Sequence, residues 1–294
     1  MARISQPTAG ARGPTEPIAS GARDGGPVTD GPFKAELMRA VEAAYDVFGR
    51  GHVSGQLDVC LCPVCMTEEA RAAIIATRND RLSVAQICDY SNSAHGVPRD
   101  LDDLKLILPR YLEIMAADEL ADDIGVGTEL LRFGDAVRAY PELFTAQERA
   151  VLDEWARAII RHFAWTDMTE EGAIYTPPAL LETLLCGGWP PDVLTGALED
   201  IVADPELGQN SLSALAGAVM GRARRKDGRL APGWFALRYC GKPERLHLIA
   251  WLNAVAASNR VLDLATQGAE AALWVQSFAS AAGQFDAALL PSRD

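Results

Sequence analysis

Three thiols fall within six positions in Cys60-Leu61-Cys62-Pro63-Val64-Cys65, half of all the cysteine in a chain of 294 residues. Cys62 and Cys65 have the spacing of a zinc knuckle, in which two thiolates two residues apart reach one tetrahedral ion from a tight turn. A closed tetrahedral site takes four ligands, and the nearest further donors in sequence are Cys60, Cys88, His52 and His95. The expected metal-ligand set is drawn from Cys60, Cys62, Cys65, Cys88 and His95, with zinc as the implied cofactor. No second Cys-x-x-Cys pair accompanies the first. The same tetrapeptide also resembles redox sites whose first thiol is acidified at a helix N-terminus. Those thiols follow a strand of a βαβ unit, whereas here the helix cap is Thr67, beyond both thiols, and no parallel strands follow. The plain alternative is structural thiols that hold nothing, since free cysteine is among the most buried residue types.

Other candidates are thinner. Glu244 and His247, at i and i+3, put a carboxylate and an imidazole on one helix face, as in di-iron bundles. Such bundles need two pairs, and His52, His95 and His162 each lack a Glu three positions earlier; the pair reads as a helix-start Glu with a His in or beside the core. Arg222, Arg224, Arg225, Lys226 and Arg229 form the one dense basic run, expected at a helix C-terminus where the dipole favours cations; binding a phosphate group or an acidic partner is the alternative. His162 is expected as a half-buried helix residue, with no motif tying a nucleophile to it. Nucleophile-elbow, P-loop, His-Glu-x-x-His and kinase patterns are absent from the sequence. The six tryptophans (155, 165, 189, 234, 251 and 274) read as packing rather than as a stacking platform.

The elements that must position these residues read as helices. Leu37, Val41, Ala44, Tyr45 and Phe48 mark a face over about 33–49. Thr67 caps a helix to about Thr77, with Glu68 and Glu69 in its first turn, and Ser83 caps another to about Ser93. Leu101, Leu104, Leu108, Tyr111 and Met115 form a stripe containing Pro109, which either kinks one helix or opens a second. The acidic run from Asp118 to Asp123 is expected as a solvated helix end. A helix over 146–164 carries Val151, Leu152, Trp155, Ile159 and Phe163. Helices then start at Pro177-Pro178, at Pro190-Pro191 and after Pro205, the last running to about Arg224. Residues 243–257 are apolar nearly all round, which implies burial on several sides, and a last helix is expected over about 267–289. Asp227-Gly228 joins no alternating apolar runs, so no hairpin is expected. The class is all-α: an irregular multi-helical bundle or a short α-solenoid, without a repeat of fixed period. Residues 1–31, rich in Pro and Gly without apolar periodicity, read as a disordered tail. Residues 32–124 read as an N-terminal helical part with the Cys cluster, and 125–294 as a C-terminal part packed with it.

At whole-chain level 27 cations face 40 anions, a net charge of −13. That field disfavours nucleic acid and anionic membranes as partners. No stretch of 18 apolar residues suggests a membrane span, and the start lacks the apolar segment of a secretory signal. Sparse cysteine without an export signal points to reduced thiols and a cytoplasmic location.

The stretch Leu57-Asp-Val-Cys-Leu-Cys-Pro-Val-Cys65, then Ser93-Ala-His95 and Leu106-Ile-Leu-Pro-Arg-Tyr-Leu-Glu113, resembles a group of bacterial helical proteins with a short Cys-rich N-terminal segment and no established activity. The likeness covers about 45–165. It implies a genuine folded unit and carries no function with it. The leading functional expectation is therefore a non-enzymatic helical protein that binds an unknown protein partner. The rivals are a structural zinc protein using the 60–65 cluster, an enzyme with an unfamiliar site, and an acidic immunity-like protein or antagonist.

Overall fold

Local chemistry sets most helix starts where the sequence places them. The computed structural model describes residues 31–55, 57–62, 64–93, 99–121, 127–169, 174–221, 223–232, 240–266 and 272–289. Helix α1 spans Lys34–Phe48 and α2 spans Glu68–Ala76, the latter capped by the Thr67 hydroxyl accepting from the Ala70 amide. Helix α3, Val84–Asn92, opens with a full capping box: Ser83 and Gln86 satisfy each other's backbone amides. Helix α4, Leu101–Ala116, runs unbroken through Pro109, resolving the kink-or-split alternative in favour of one helix. Helices α5 (Leu131–Ala139), α6 (Ala146–Thr169), α7 (Pro177–Cys186), α8 (Pro191–Ala203) and α9 (Gly208–Met220) follow, then α10 (Lys242–Ala256), α11 (Asn259–Thr266) and α12 (Ala272–Ser280).

The architecture is all-α, with α6 at its centre touching α1, α7, α8 and α9, while α1 also packs on α4. Trp155, Ile159 and Phe163 of α6 are fully buried with Tyr111, Phe133 and Tyr175, each contributing about 1.5–3 kcal/mol through burial. Ring pairs lock the layer: Phe163 with Tyr175 at 5.5 Å, and Tyr111 with Phe133 at 5.0 Å. Contacts between helices distant in sequence, α1 with α6 and α9 with α12, make this an irregular bundle rather than a solenoid, whose repeats touch only their neighbours. Residues 31–294 form one compact unit.

Several expectations are corrected. Helix α5 was not foreseen. Its stripe is short and it contains Gly134, where a Cβ would lie 1.8 Å from the Cys186 carbonyl oxygen; the glycine lets α5 and the end of α7 touch backbone to backbone. The basic run does not cap a helix, because α9 ends at Met220. Arg224–Lys226 (β1) and Arg229–Ala231 (β2) instead form an antiparallel hairpin. Its turn is Asp227-Gly228, with φ of 50° and 76°, the positive pair that a tight two-residue hairpin demands. Only Leu230 faces inward, bonded through its backbone to Gln284 and Asp286, so the alternating apolar signal is missing. Arg222 lies outside the described residues. The expected terminal helix over 267–289 is shorter, α12 ending at Ser280 before a turn at Gly283 with φ of 74°, and α11 ahead of it was not foreseen. Helix α10 buries Leu248, Ile249, Trp251 and Leu252 but leaves Leu246 exposed. His162 is buried, not half-buried, at 6 % exposure. Asp118 is no solvated end: its carboxylate accepts the amides of Ile174 and Tyr175.

Candidate metal centre

The segment carrying the thiols has no regular structure, so its shape is set by side chains that pin its backbone. At its start Asn79, fully buried, accepts from the Gly51 amide at 2.9 Å and donates to the carbonyls of Gly49 at 3.0 Å and Leu106 at 2.6 Å. The Asp103 carboxylate of α4 accepts from both the amide and the hydroxyl of Ser54, each at 2.6 Å. Arg71 of α2 donates to the Gly55 carbonyl at 3.0 Å. Val53, Leu57 and Met66 sink into the core on either side of the thiols. These anchors satisfy backbone groups that the loop cannot satisfy itself, and each burial removes freedom from the intervening chain.

Between the anchors the thiols rise to the surface. The Cys60 amide donates to Ser93 Oγ at 2.9 Å. A tight turn follows, with the amides of Cys65 and Met66 donating to the Cys62 carbonyl at 3.1 Å and 3.3 Å; Met66 then leads into the Thr67 cap of α2. The turn presents Val64 to solvent at 92 % exposure while the three cysteines remain half-buried. The sulfurs of Cys60, Cys62 and Cys65 all lie within 4.8 Å of one another. Two thiolates each about 2.3 Å from one zinc ion are at most about 4.6 Å apart, so a small inward movement of this loop suffices to ligate one ion.

The electrostatics favour a thiolate at the centre of the triad. The amide of Val64, then the thiols of Cys65 and Cys60 and the Cys65 amide, donate to Cys62 sulfur and bring its pKa down to about 7. Cys60 moves the opposite way. The Cys62 amide favours its thiolate, but hydrogen bonding with the Cys62 and Cys65 thiols outweighs that and raises its pKa. One sulfur thus carries the charge and its neighbours solvate it. Near the loop entrance burial raises the pKa of Asp100, helped by the charges of Asp103 and Asp58, so the field there is negative.

Among the described residues of the expected set, the structure gathers Cys60, Cys62 and Cys65 and leaves Cys88 apart. Cys88 is buried on α3 and its thiol faces the Leu120 carbonyl at 3.7 Å, because its place on the helix turns it toward the chain after α4. His95 lies outside the described residues. His52 is exposed, its Nδ1 3.4 Å from the Ile75 carbonyl. His247 meets Thr195 Oγ1 at 3.2 Å and Glu244 sits in the first turn of α10, so among the described residues the half di-iron motif gains no second pair. In the hairpin, Arg225 holds Gln284 at 3.0 Å and Arg229 pairs with Asp286 at 2.7 Å; they tie down the C-terminal segment. No disulfide joins the six cysteines. Residues missed from sequence are Ser93 in its bonding role and Arg132, a buried cation in the unforeseen α5. No protein-family model, no curated protein and no solved structure significantly matches the chain.

Proposed function

We propose that the protein binds a thiophilic metal ion, zinc in the first instance, on Cys60, Cys62 and Cys65. The reading is carried by the convergence of three sulfurs within 4.8 Å in a turn whose amides point at Cys62 sulfur. Soft sulfur donors select zinc, monovalent copper and similar ions over hard ones. A bound ion would clamp the exposed turn between the Leu57 and Met66 anchors, a structural role at the surface of the bundle. His95 is the sequence's candidate for a fourth ligand; water is the alternative. The test is elemental analysis of the reduced protein together with titration by cadmium(II), read at its ultraviolet thiolate charge-transfer band. The expected result is one ion per chain, lost in Cys60→Ser, Cys62→Ser or Cys65→Ser and kept in Cys186→Ser. Fully reduced protein that holds less than about a tenth of an equivalent and develops no band removes the proposal.

A second reading, protein binding through the helical exterior, is favoured by one observation. Leu246, Leu262, Leu273 and Trp274 on α10–α12 stand exposed, Leu273 at 64 % and Trp274 at 48 %. Its test is a pull-down in which bait carrying Leu273→Glu and Trp274→Glu loses a protein that the wild type retains. Equal retention by both baits removes it.

A further inference from the structure

We infer that Arg132 is a positioning residue for this metal centre, fixing the chain at Asp58 directly and at Cys60 through Ser93, and supplying positive charge against which a metal–thiolate group is held. The inference rests on the metal-binding reading above. Arg132 projects from α5 and is 3 % exposed. One Nη donates to the Asp58 carbonyl at 2.7 Å, two residues before Cys60. The other donates to the carbonyls of Tyr90 and Ser93 at the end of α3, each at 2.8 Å. The guanidinium lies over the Tyr90 ring, 4.1 Å from its centroid.

Ser93 completes the link. Its carbonyl is held by Arg132 while its hydroxyl accepts from the Cys60 amide at 2.9 Å and donates to the Cys60 carbonyl at 3.5 Å. Residue 58 is therefore fixed directly by the guanidinium, and residue 60 through one serine held by the same group. Among the described residues these are the last backbone restraints before the Cys62 turn, so they set where Cys60 sulfur sits relative to the other two. Lysine could not replace this arrangement: a single ammonium lacks the planar fork that reaches three carbonyls from two segments.

The charge has a second consequence. A buried guanidinium normally meets a carboxylate, because an uncompensated buried charge is expensive. Among the described residues no carboxylate pairs with Arg132; carbonyl dipoles and an aromatic face surround it instead. The Asp58 and Asp103 carboxylates act through space on the Tyr90 ring beside it, and the guanidinium's field is also open to a further anion brought close. Three thiolates around a divalent ion leave a net negative charge, and they are reached through the same Asp58–Cys60 segment. Groups that orient ligands and balance their charge in this way commonly change metal affinity by about 10–100-fold when removed.

The experiment is cadmium(II) titration of the full chain with a competing chelator, comparing wild type, Arg132→Lys and Ser93→Ala. Circular dichroism and metal-free urea unfolding run alongside. We expect affinity to fall roughly 10–100-fold in Arg132→Lys and about tenfold in Ser93→Ala, with native helicity retained. A purely structural role would lower the urea midpoint and leave the affinity of the folded protein where it was. Wild type that shows no thiolate band brings down the metal-binding reading and this inference with it. Wild type that binds, beside folded variants of unchanged affinity, overturns the role of Arg132 alone. If Arg132→Lys does not fold, Ser93→Ala decides, since it keeps the guanidinium and its three carbonyls.

Discussion

Cys62 and Cys186 carry the same side chain and opposite tendencies, and their surroundings account for it. Cys62 sits in an open turn and receives hydrogen bonds from the Val64 amide and neighbouring thiols, which hold its pKa at about 7. Cys186 ends α7 in the core, where burial, with the charge of Glu182 adding to it, pushes the thiol up to about 12; burial likewise takes Cys240 to about 11. In reduced, metal-free protein, alkylation of Cys62 by iodoacetamide should therefore rise with pH, reach half its plateau near pH 7 and level off above, while Cys186 and Cys240 stay unlabelled until the chain unfolds. Peptide mass spectrometry across a pH series reads all three. The stability sign follows: a thiol whose native pKa lies below the ordinary value of about 8.5 favours the native loop at high pH, and that contribution is lost as pH falls through about 7. A Cys62 profile centred near pH 8.5 would show that the amides do not face its sulfur. The triad was legible because spacing alone brings i and i+3 thiols of a turn together. Cys88 stands apart from the triad, against the Leu120 carbonyl, because nearness in sequence says nothing about which way a helix turns its side chain. A lone arginine such as Arg132 leaves no pattern at all; its role exists only once α3 and α5 have met.

At the scale of elements, the legible features were those with a local cause. The Ser83–Gln86 capping box, the Thr67 cap and the prolines opening α7 and α8 act within a few residues of themselves, and the helices begin where they say. Elements defined by a distant partner were not legible. The β1–β2 hairpin exposes nearly every side chain and owes its inner edge to a backbone pairing of Leu230 with the chain around Phe285. Helix α5 depends on Gly134 meeting the end of α7, which no local propensity encodes. Gly134→Ala measures that dependence. In an isolated helix alanine would gain about 1 kcal/mol over glycine. Here the added methyl would stand 1.8 Å from the Cys186 carbonyl oxygen and 2.9 Å from the Arg138 guanidinium, and backbone cannot step aside as a flexible side chain can. The overpacking should outweigh propensity and lower stability by about 3 kcal/mol, seen as a fall in the urea midpoint at unchanged slope. A Gly134→Ala variant as stable as wild type would mean that α5 and α7 are not in this contact.

For the whole molecule, the question is how far a loop at one edge of the bundle is coupled to the rest. The thiol segment is pinned to α2 by Arg71, to α3 by Ser93, to α4 by Asp103 and to α5 by Arg132. Residues 31–294 form one compact unit, and α4 and α6 both pack on α1. A loop held at four points, three of them by the buried side chains of Ser93, Asp103 and Arg132, cannot unfold without releasing those groups, so binding there should be felt as stability of the whole unit. No membrane-spanning helix, among the described residues, complicates the measurement. An ion present at a hundred times its dissociation constant stabilises a native state that alone binds it by about 2.7 kcal/mol. For a unit of this size that corresponds to a rise in Tm of roughly 5–10 °C. Zinc or cadmium added to reduced protein should produce a single cooperative transition shifted by that amount. A chelator should reverse the shift, and Cys62→Ser should abolish it. If the ion binds and Tm does not move, the thiols hold it equally well in the unfolded chain, and the anchors around the loop do not pre-shape the site; a separate low-temperature transition that alone responds to metal would show that the loop opens independently of the bundle.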